Sequence, residues 1–192
     1  AKRGIPVVET IAGKGALTHD HPVHAGPIGI VGSTSANALA HEADVILAIG
    51  TRLQDFTTGS WTAFAQDAKF IGVNAARFDA IKHRALPVVG DALETLGDLD
   101  AALGDWQADA GLMKRAKVLF SEWNKTLDDH QAPTNDPVPS YAQVIGILNK
   151  VAGPNDTLIG AAGGTPGEIT KGWRVKNPNT FDCEFGFSCM GY

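Results

Sequence analysis

A doubly wound α/β protein is the fold class this sequence predicts: a parallel sheet layered with helices over residues 1–130, a linker over 131–139, and the beginning of a second α/β domain over 140–192. Three observations predict it. Short apolar runs alternate with amphipathic segments, the repeating order that places helices against a parallel sheet. One run, from Ala43 to Ile49, is almost unbroken and stops at Gly50, as a strand covered on both faces would. And Gln131 to Pro139 carries Pro133, Pro137 and Pro139 in a polar stretch, which reads as an interdomain linker.

Taken in order, Ile5 to Thr10 predicts a short strand, followed by a Gly-, His- and Pro-rich loop from Ala12 to Gly32. Ser33 or Thr34 then caps a helix through Ala36, Ala38, Leu39 and Ala40, because a hydroxyl can satisfy an unpaired first-turn N–H. After the Ala43–Ile49 strand, Lys69 to Asn74 and Leu86 to Gly90 give two more. Asp91 caps a helix with Leu93, Leu96, Leu99 and Leu103 at helical spacing. Trp106 to His130 is helical, with Leu112, Ala116, Leu119, Phe120 and Trp123 in one apolar stripe. Past the linker, Ser140 caps a helix carrying Val144, Ile145, Leu148 and Val151, ended by Gly153-Pro154. Thr157 to Ala162 is a strand broken by Gly163-Gly164. Ile169 to Trp173 is helical, and Phe181 to Glu184 is a last strand. The first strand lacks neighbours and the segment from Ser140 has too little to bury a core, so the sequence reads as a piece of a longer chain.

Composition narrows the partners. Sixteen Lys and Arg against 21 Asp and Glu, a formal net charge of -5, with no basic stripe, argue against a nucleic-acid surface. The longest apolar stretch is far too short to cross a bilayer, and no apolar segment follows Ala1-Lys2-Arg3-Gly4 as a signal peptide would need. Cys183 and Cys189 form neither a CxxC pair nor a disulfide framework, which fits a reducing cytoplasm.

Five segments are candidates for chemistry. Gly26…Gly29…Gly32-Ser33 opens a helix and could offer amides to a phosphate. Its spacing is GxxGxxG rather than the dinucleotide GxGxxG, and Asn74 stands where an acid would hold a ribose, so a tight turn without ligand is preferred. Gly50-Thr51-Arg52-Leu53-Gln54-Asp55 lies past a strand's C-terminal end, where Arg52 could hold an anion or pair with Asp55. His19-Asp20-His21-Pro22-Val23-His24 has imidazoles, but no second ligand cluster converges on it; it reads as a polar loop, and no metal site is assigned. Ala161-Ala162-Gly163-Gly164-Thr165-Pro166-Gly167-Glu168 joins a strand to a helix with more glycines than a plain turn needs, and suits an anion. Phe185 to Gly191 sets Cys189 beside Ser188 with no nearby His to activate a nucleophile, and no catalytic residue is assigned.

Together and in this order, several stretches resemble the thiamine diphosphate enzymes of the acetolactate synthase and decarboxylase superfamily. They are Lys14-Gly15-Ala16-Leu17, His21-Pro22, Gly26…Gly29…Gly32, Ala43-Asp44-Val45-Ile46-Leu47-Ala48-Ile49-Gly50-Thr51-Arg52 and Val89-Gly90-Asp91-Ala92, which look like the superfamily's central domain. The linker and the helix from Ser140 look like the approach to its cofactor domain. Within the superfamily, Gly50 to Ser60, Gly160-Ala161-Ala162-Gly163-Gly164 and Glu184 to Tyr192 are most similar to the trihydroxycyclohexane-1,2-dione hydrolases of myo-inositol breakdown.

The resemblance implies a C–C hydrolase opening a cyclic polyol diketone to a deoxy-glucuronic acid. It implies thiamine diphosphate and magnesium as cofactors and a homo-dimer or homo-tetramer with the cofactor between subunits. It places Ala162, Gly163, Gly164 and Thr165 against the cofactor diphosphate. The backbones of Ser188 and Met190 would bond its aminopyrimidine, and the Met190 side chain would wedge beneath it. Many relatives have an acid and a Gln-His pair where this chain has Ala161 and Gly164-Thr165, so substrate contacts there differ. Flavin-binding relatives carry an acid near Asn74 and an Arg near Phe56, so no FAD is expected. The family's proton-relaying Glu would precede Ala1 and its metal motif would follow Tyr192, so the chain by itself is expected to be inactive. Two rival expectations are an acetolactate synthase-like carboligase and a non-catalytic nucleotide-binding module.

Overall fold

The protein is described from a computed structural model, which covers residues 1–184, 187 and 189–191. All strand pairing is parallel. β1 (Val7–Glu9) lies beside β2 (His24–Pro27). β3 (Val45–Ile49), β4 (Lys69–Asn74) and β5 (Leu86–Val89) form a three-stranded sheet in that order. β6 (Leu158–Gly160) and β7 (Phe181–Cys183) form a third ladder. The helices are α1 (Thr34–Glu42), α2 (Asp55–Thr58), α3 (Arg77–Ala80), α4 (Ala92–Ala102), α5 (Ala110–Gln131), α6 (Tyr141–Val151) and α7 (Gly164–Gly172). The α/β class with parallel strands is thus present, its strands divided among three ladders among the described residues.

Local chemistry sets the helix starts. Ser33 Oγ accepts from the Ala36 amide at 3.1 Å, Asp91 accepts from Leu93 and Glu94, and Ser140 with Gln143 makes a reciprocal capping box. Several elements differ from expectation. β2 falls inside the stretch expected as loop; His-Ala-Gly-Pro has no alternation to announce it, and all four residues are buried. α5 begins at Ala110, capped by Asp109, rather than at Trp106. α7 begins at Gly164, five residues before the expected Ile169, with Pro166 in its first turn where a missing N–H costs nothing.

The core has three parts. Ile28, Ala36, Ala40, Ala48, Leu53, Phe64 and Phe70 pack around the β3–β5 sheet. Ala25, Leu39 and Ala116 join β2, α1 and α5. Ile145, Ile169, Trp173, Val175, Phe181 and Cys183 cluster around β7, together with Ile11 from the loop after β1. Gln131, placed in the linker by sequence, is the buried last residue of α5. Its Nε2 donates to the Gly172 carbonyl at 2.9 Å and its Oε1 accepts from Asn149. Gly146 lets α6 cross there, since a Cβ would meet the Gln131 carbonyl oxygen at 2.7 Å. No helix among the described residues is long and apolar enough to cross a membrane.

Candidate functional site

Two loops leave the same edge of one ladder. β6 and β7 run parallel with Gly160 opposite Cys183, and the Glu184 amide continues the ladder by donating to the Gly160 carbonyl at 3.2 Å. Ala161 to Gly163 therefore emerges beside the segment that follows Cys183. The C-terminal edge of parallel strands is where α/β proteins place ligands. The expected residues Ala162, Gly163, Gly164 and Thr165 lie in the first loop and the first turn of α7. Met190 lies in the second and is 88% exposed. Ser188 falls outside the described residues.

The first loop is built to leave amides open. Gly163 has φ of 106°, a conformation suited to glycine, and no atom lies within 4 Å of where its Cβ would be. Gly164 and Thr165 open α7, so their N–H groups have no carbonyl a turn earlier, and no other described group accepts from them. No side chain caps the helix, and a Cβ on Gly164 would meet the Tyr141 ring at 3.3 Å. Tyr141, which the sequence did not single out, thus borders the open amides. Two donors at the positive end of a helix suit a diphosphate. In the second loop the Glu184 carboxylate accepts from the Phe187 amide at 3.0 Å and the Cys189 amide at 3.2 Å. A side-chain hydrogen bond to Glu184 pushes the exposed Cys189 thiol up, while burial raises that of Cys183.

The other glycine-rich turn differs in every respect that matters to an anion. It follows a strand, β2, in the stretch that the sequence predicts as loop. Yet the amides of Ile28, Gly29, Ile30, Gly32 and Ser33 donate to Glu9, Asn37, Phe56, Gly29 and Pro27 within the protein. A Cβ on Gly29 would run into the Phe56 carbonyl oxygen, so close backbone approach accounts for the glycine. Arg52 and Asp55 do not pair: Asp55 accepts from the Ser60 amide and hydroxyl, while the Arg52 carbonyl accepts from Lys82. Asn74 ties its strand end to the Thr51 carbonyl at 3.1 Å and caps Ala76.

The histidine segment is not the polar loop expected. His24, in β2, turns inward and meets Glu9 Oε2 at 2.9 Å, both side chains 3% exposed. His19 and His24 stand edge-on or tilted against Phe120 of α5. Lys14 is buried beside them, with Nζ 5.8 Å from the Phe181 ring centroid. Burial pushes the Glu9 carboxyl up, but the His24 hydrogen bond, the Lys14 and His24 charges and the Leu17 amide outweigh it and hold it below the usual value. Burial draws the Lys14 ammonium down to about 8 against the opposing pull of Glu9. Burial, with Arg174, His24 and Lys14 nearby, draws His19 down to about 4. Sequence reasoning missed this cluster. Its one signal is a carboxylate, Glu9, closing an otherwise apolar strand.

Comparison with known proteins decides the family. Residues 1–99 match the family model described as the thiamine pyrophosphate enzyme, central domain. This chain belongs to the thiamine pyrophosphate enzymes. The match covers β1 to most of α4. Among curated members of this enzyme group, the chain is 34% identical, over its whole length, to the 3D-(3,5/4)-trihydroxycyclohexane-1,2-dione hydrolase of Geobacillus thermodenitrificans. It is 37% identical over 98% of its length to the enzyme of that name from Bacillus licheniformis, and 34% identical over 98% to that of Listeria monocytogenes. In each case the chain spans 33% of the relative's length, about a third.

Proposed function

We propose that this chain is part of a thiamine diphosphate- and magnesium-dependent hydrolase that cleaves a C–C bond in trihydroxycyclohexane-1,2-dione to give 5-deoxy-glucuronic acid. The observation that carries the reading is the pair of loops after β6 and β7, which leave one edge together and carry the segments similar to the family's cofactor contacts. The relatives' shared name, over the full length of this chain, supports the same substrate.

The residues present fit the cofactor. The open amides of Gly164 and Thr165 would hold the diphosphate, with no acidic side chain in that first turn to repel it. The backbone of Ser188 and Met190 would bond the aminopyrimidine, with the Met190 side chain beneath the ring. When bound, thiamine diphosphate supplies a carbon nucleophile and an electron sink for breaking the bond next to a carbonyl. What this chain contributes is orientation: the β6–β7 ladder fixes the spacing of the two loops, and Glu184 pins the second by its amides. The magnesium ligands and the proton-relaying carboxylate belong, in this reading, to other parts of the whole protein, which would be a homo-dimer or homo-tetramer.

The test is hydrolysis of the diketone by the full-length protein with both cofactors, followed by mass spectrometry of the product. Release of 5-deoxy-glucuronic acid is expected. Acetolactate from pyruvate in its place would refute the hydrolase and favour a carboligase.

A further inference from the structure

Nothing in the cofactor contacts explains why a carboxylate, a lysine and a histidine are buried together. Their partners give the reason. Glu9 Oε1 accepts from the amides of Gly15 at 3.3 Å and Leu17 at 3.4 Å, while Oε2 holds His24. One carboxylate thereby organises a loop, residues 10–18, whose own bonds are only tight turns, such as Gly13 to Thr10 and Ala16 to Gly13. That loop lies on β7 and its approach. Gly15, at φ of 92°, comes so close that a Cβ would meet Phe181 Cβ at 3.2 Å. The Gly15 carbonyl accepts from the Asn179 amide at 2.9 Å, and the His19 amide donates to the Val175 carbonyl at 2.8 Å. The Lys14 ammonium, answering the Glu9 charge, stands over the Phe181 ring. Among the described residues β7 has one strand neighbour, β6. Beside the core cluster that packs on Phe181 and Cys183, the Glu9-organised loop therefore adds support on the strand that leads into the second cofactor loop.

We propose that Glu9, Lys14 and His24 form a positioning device: by fixing the loop of residues 10–18 against Phe181, they set the place of β7 and so of the loop after it, an inference that rests on the cofactor reading above. These are positioning residues, since each acts through the loop and the strand.

The experiment combines hydrogen exchange with cofactor titration on the full-length protein. Glu9→Ala leaves two amides and His24 without their acceptor. Exchange over residues 175–184 should then quicken about tenfold while residues 69–74, in β4, keep their wild-type rate. Thiamine diphosphate affinity should fall about tenfold in the same variant, because a loosened supporting shell misplaces the groups it holds. Glu9→Gln keeps an acceptor for both amides and should restore both readouts toward wild type, which a mere loss of stability would not predict. Gly15→Ala pushes on Phe181 without touching a charge and should give the same local signature, so the test survives if Glu9→Ala does not fold. Equal acceleration in 175–184 and 69–74, or none in 175–184, would overturn the proposal. So would Glu9→Ala or Gly15→Ala protein that binds the cofactor as tightly as wild type. Wild-type protein that fails to bind thiamine diphosphate would refute the cofactor reading itself, and this inference with it.

Discussion

Lys14 offers a stability measurement whose sign and size follow from its surroundings. Its ammonium has a folded pKa of about 8 against an ordinary 10.5. Between those values the unfolded chain binds more protons than the folded one, so stability rises with pH across that window and the cost of burying the charge is fully present below it. Over the whole window the effect amounts to about 3 kcal/mol, and between about pH 7 and about pH 9 to roughly 1 kcal/mol. Glu9, held below its ordinary value, is ionised in both states over that range and adds nothing to the slope. The perturbation is Glu9→Gln with Lys14→Met, which removes both charges at nearly constant volume. Urea unfolding of wild type and double variant at the two pH values gives the assay. The wild type should gain roughly 1 kcal/mol on the variant as the pH rises. A difference that does not change with pH would show that the ammonium is solvated or already neutral, and would refute the burial argument.

Three further outcomes are expected. His19, drawn down to about 4 from 6.5, makes the folded state bind fewer protons across that window, so stability should fall as the pH drops through it. His19→Gln should lose less of its stability by a difference of about 2–3 kcal/mol, read by unfolding at the two ends of the window. Gly29→Ala should lower stability by about 3 kcal/mol or more, since the added Cβ meets the Phe56 carbonyl oxygen and φ is 113°; thermal unfolding checks it. Gln131→Ala should cost about 2 kcal/mol by removing two hydrogen bonds, one to the Gly172 carbonyl and one from Asn149, while Asn149 still donates to Gly172; denaturant titration would show it.

What could be read from the sequence was what neighbouring residues decide. Ser33, Asp91 and Ser140 are caps in the structure because a cap needs only its own side chain and an amide two or three residues on. β3, β4 and β5 were legible because each is an apolar run of strand length. β2 was not, because its four residues owe their extended form to the parallel register that sets Val7 beside His24. The start of α7 was hidden for a related reason. Gly164 and Gly167 are poor helix formers, and what keeps them helical is packing, Gly167 on Val31 and Gly164 on Tyr141. The segments proposed to hold the cofactor stand out by their resemblance, but that they leave one edge depends on the pairing of Gly160 with Cys183, which no local pattern announces. The buried cluster was invisible altogether: His24 reaches Glu9 across fifteen positions of chain.

Two glycine-rich turns before helices carry opposite meanings here, and the difference lies in what the amides already hold. In the turn from Gly26 to Gly32, glycine is required by collision, because side chains there would strike Ser33, Phe56 or the turn's own backbone. The same closeness consumes the donors, so the turn is finished without a ligand. At Gly163 and Gly164 the space around Gly163 is open and the first amides of α7 have no acceptor among the described residues. Donors at a helix N-terminus, here on exposed Gly164 and half-buried Thr165, meet an anion with the dipole in its favour. A glycine count alone ranks the two turns as equals. Counting the amides still open favours the second as the place proposed for the diphosphate, and leaves the first to hold α1 and α2 together through Gly29 and Ile30.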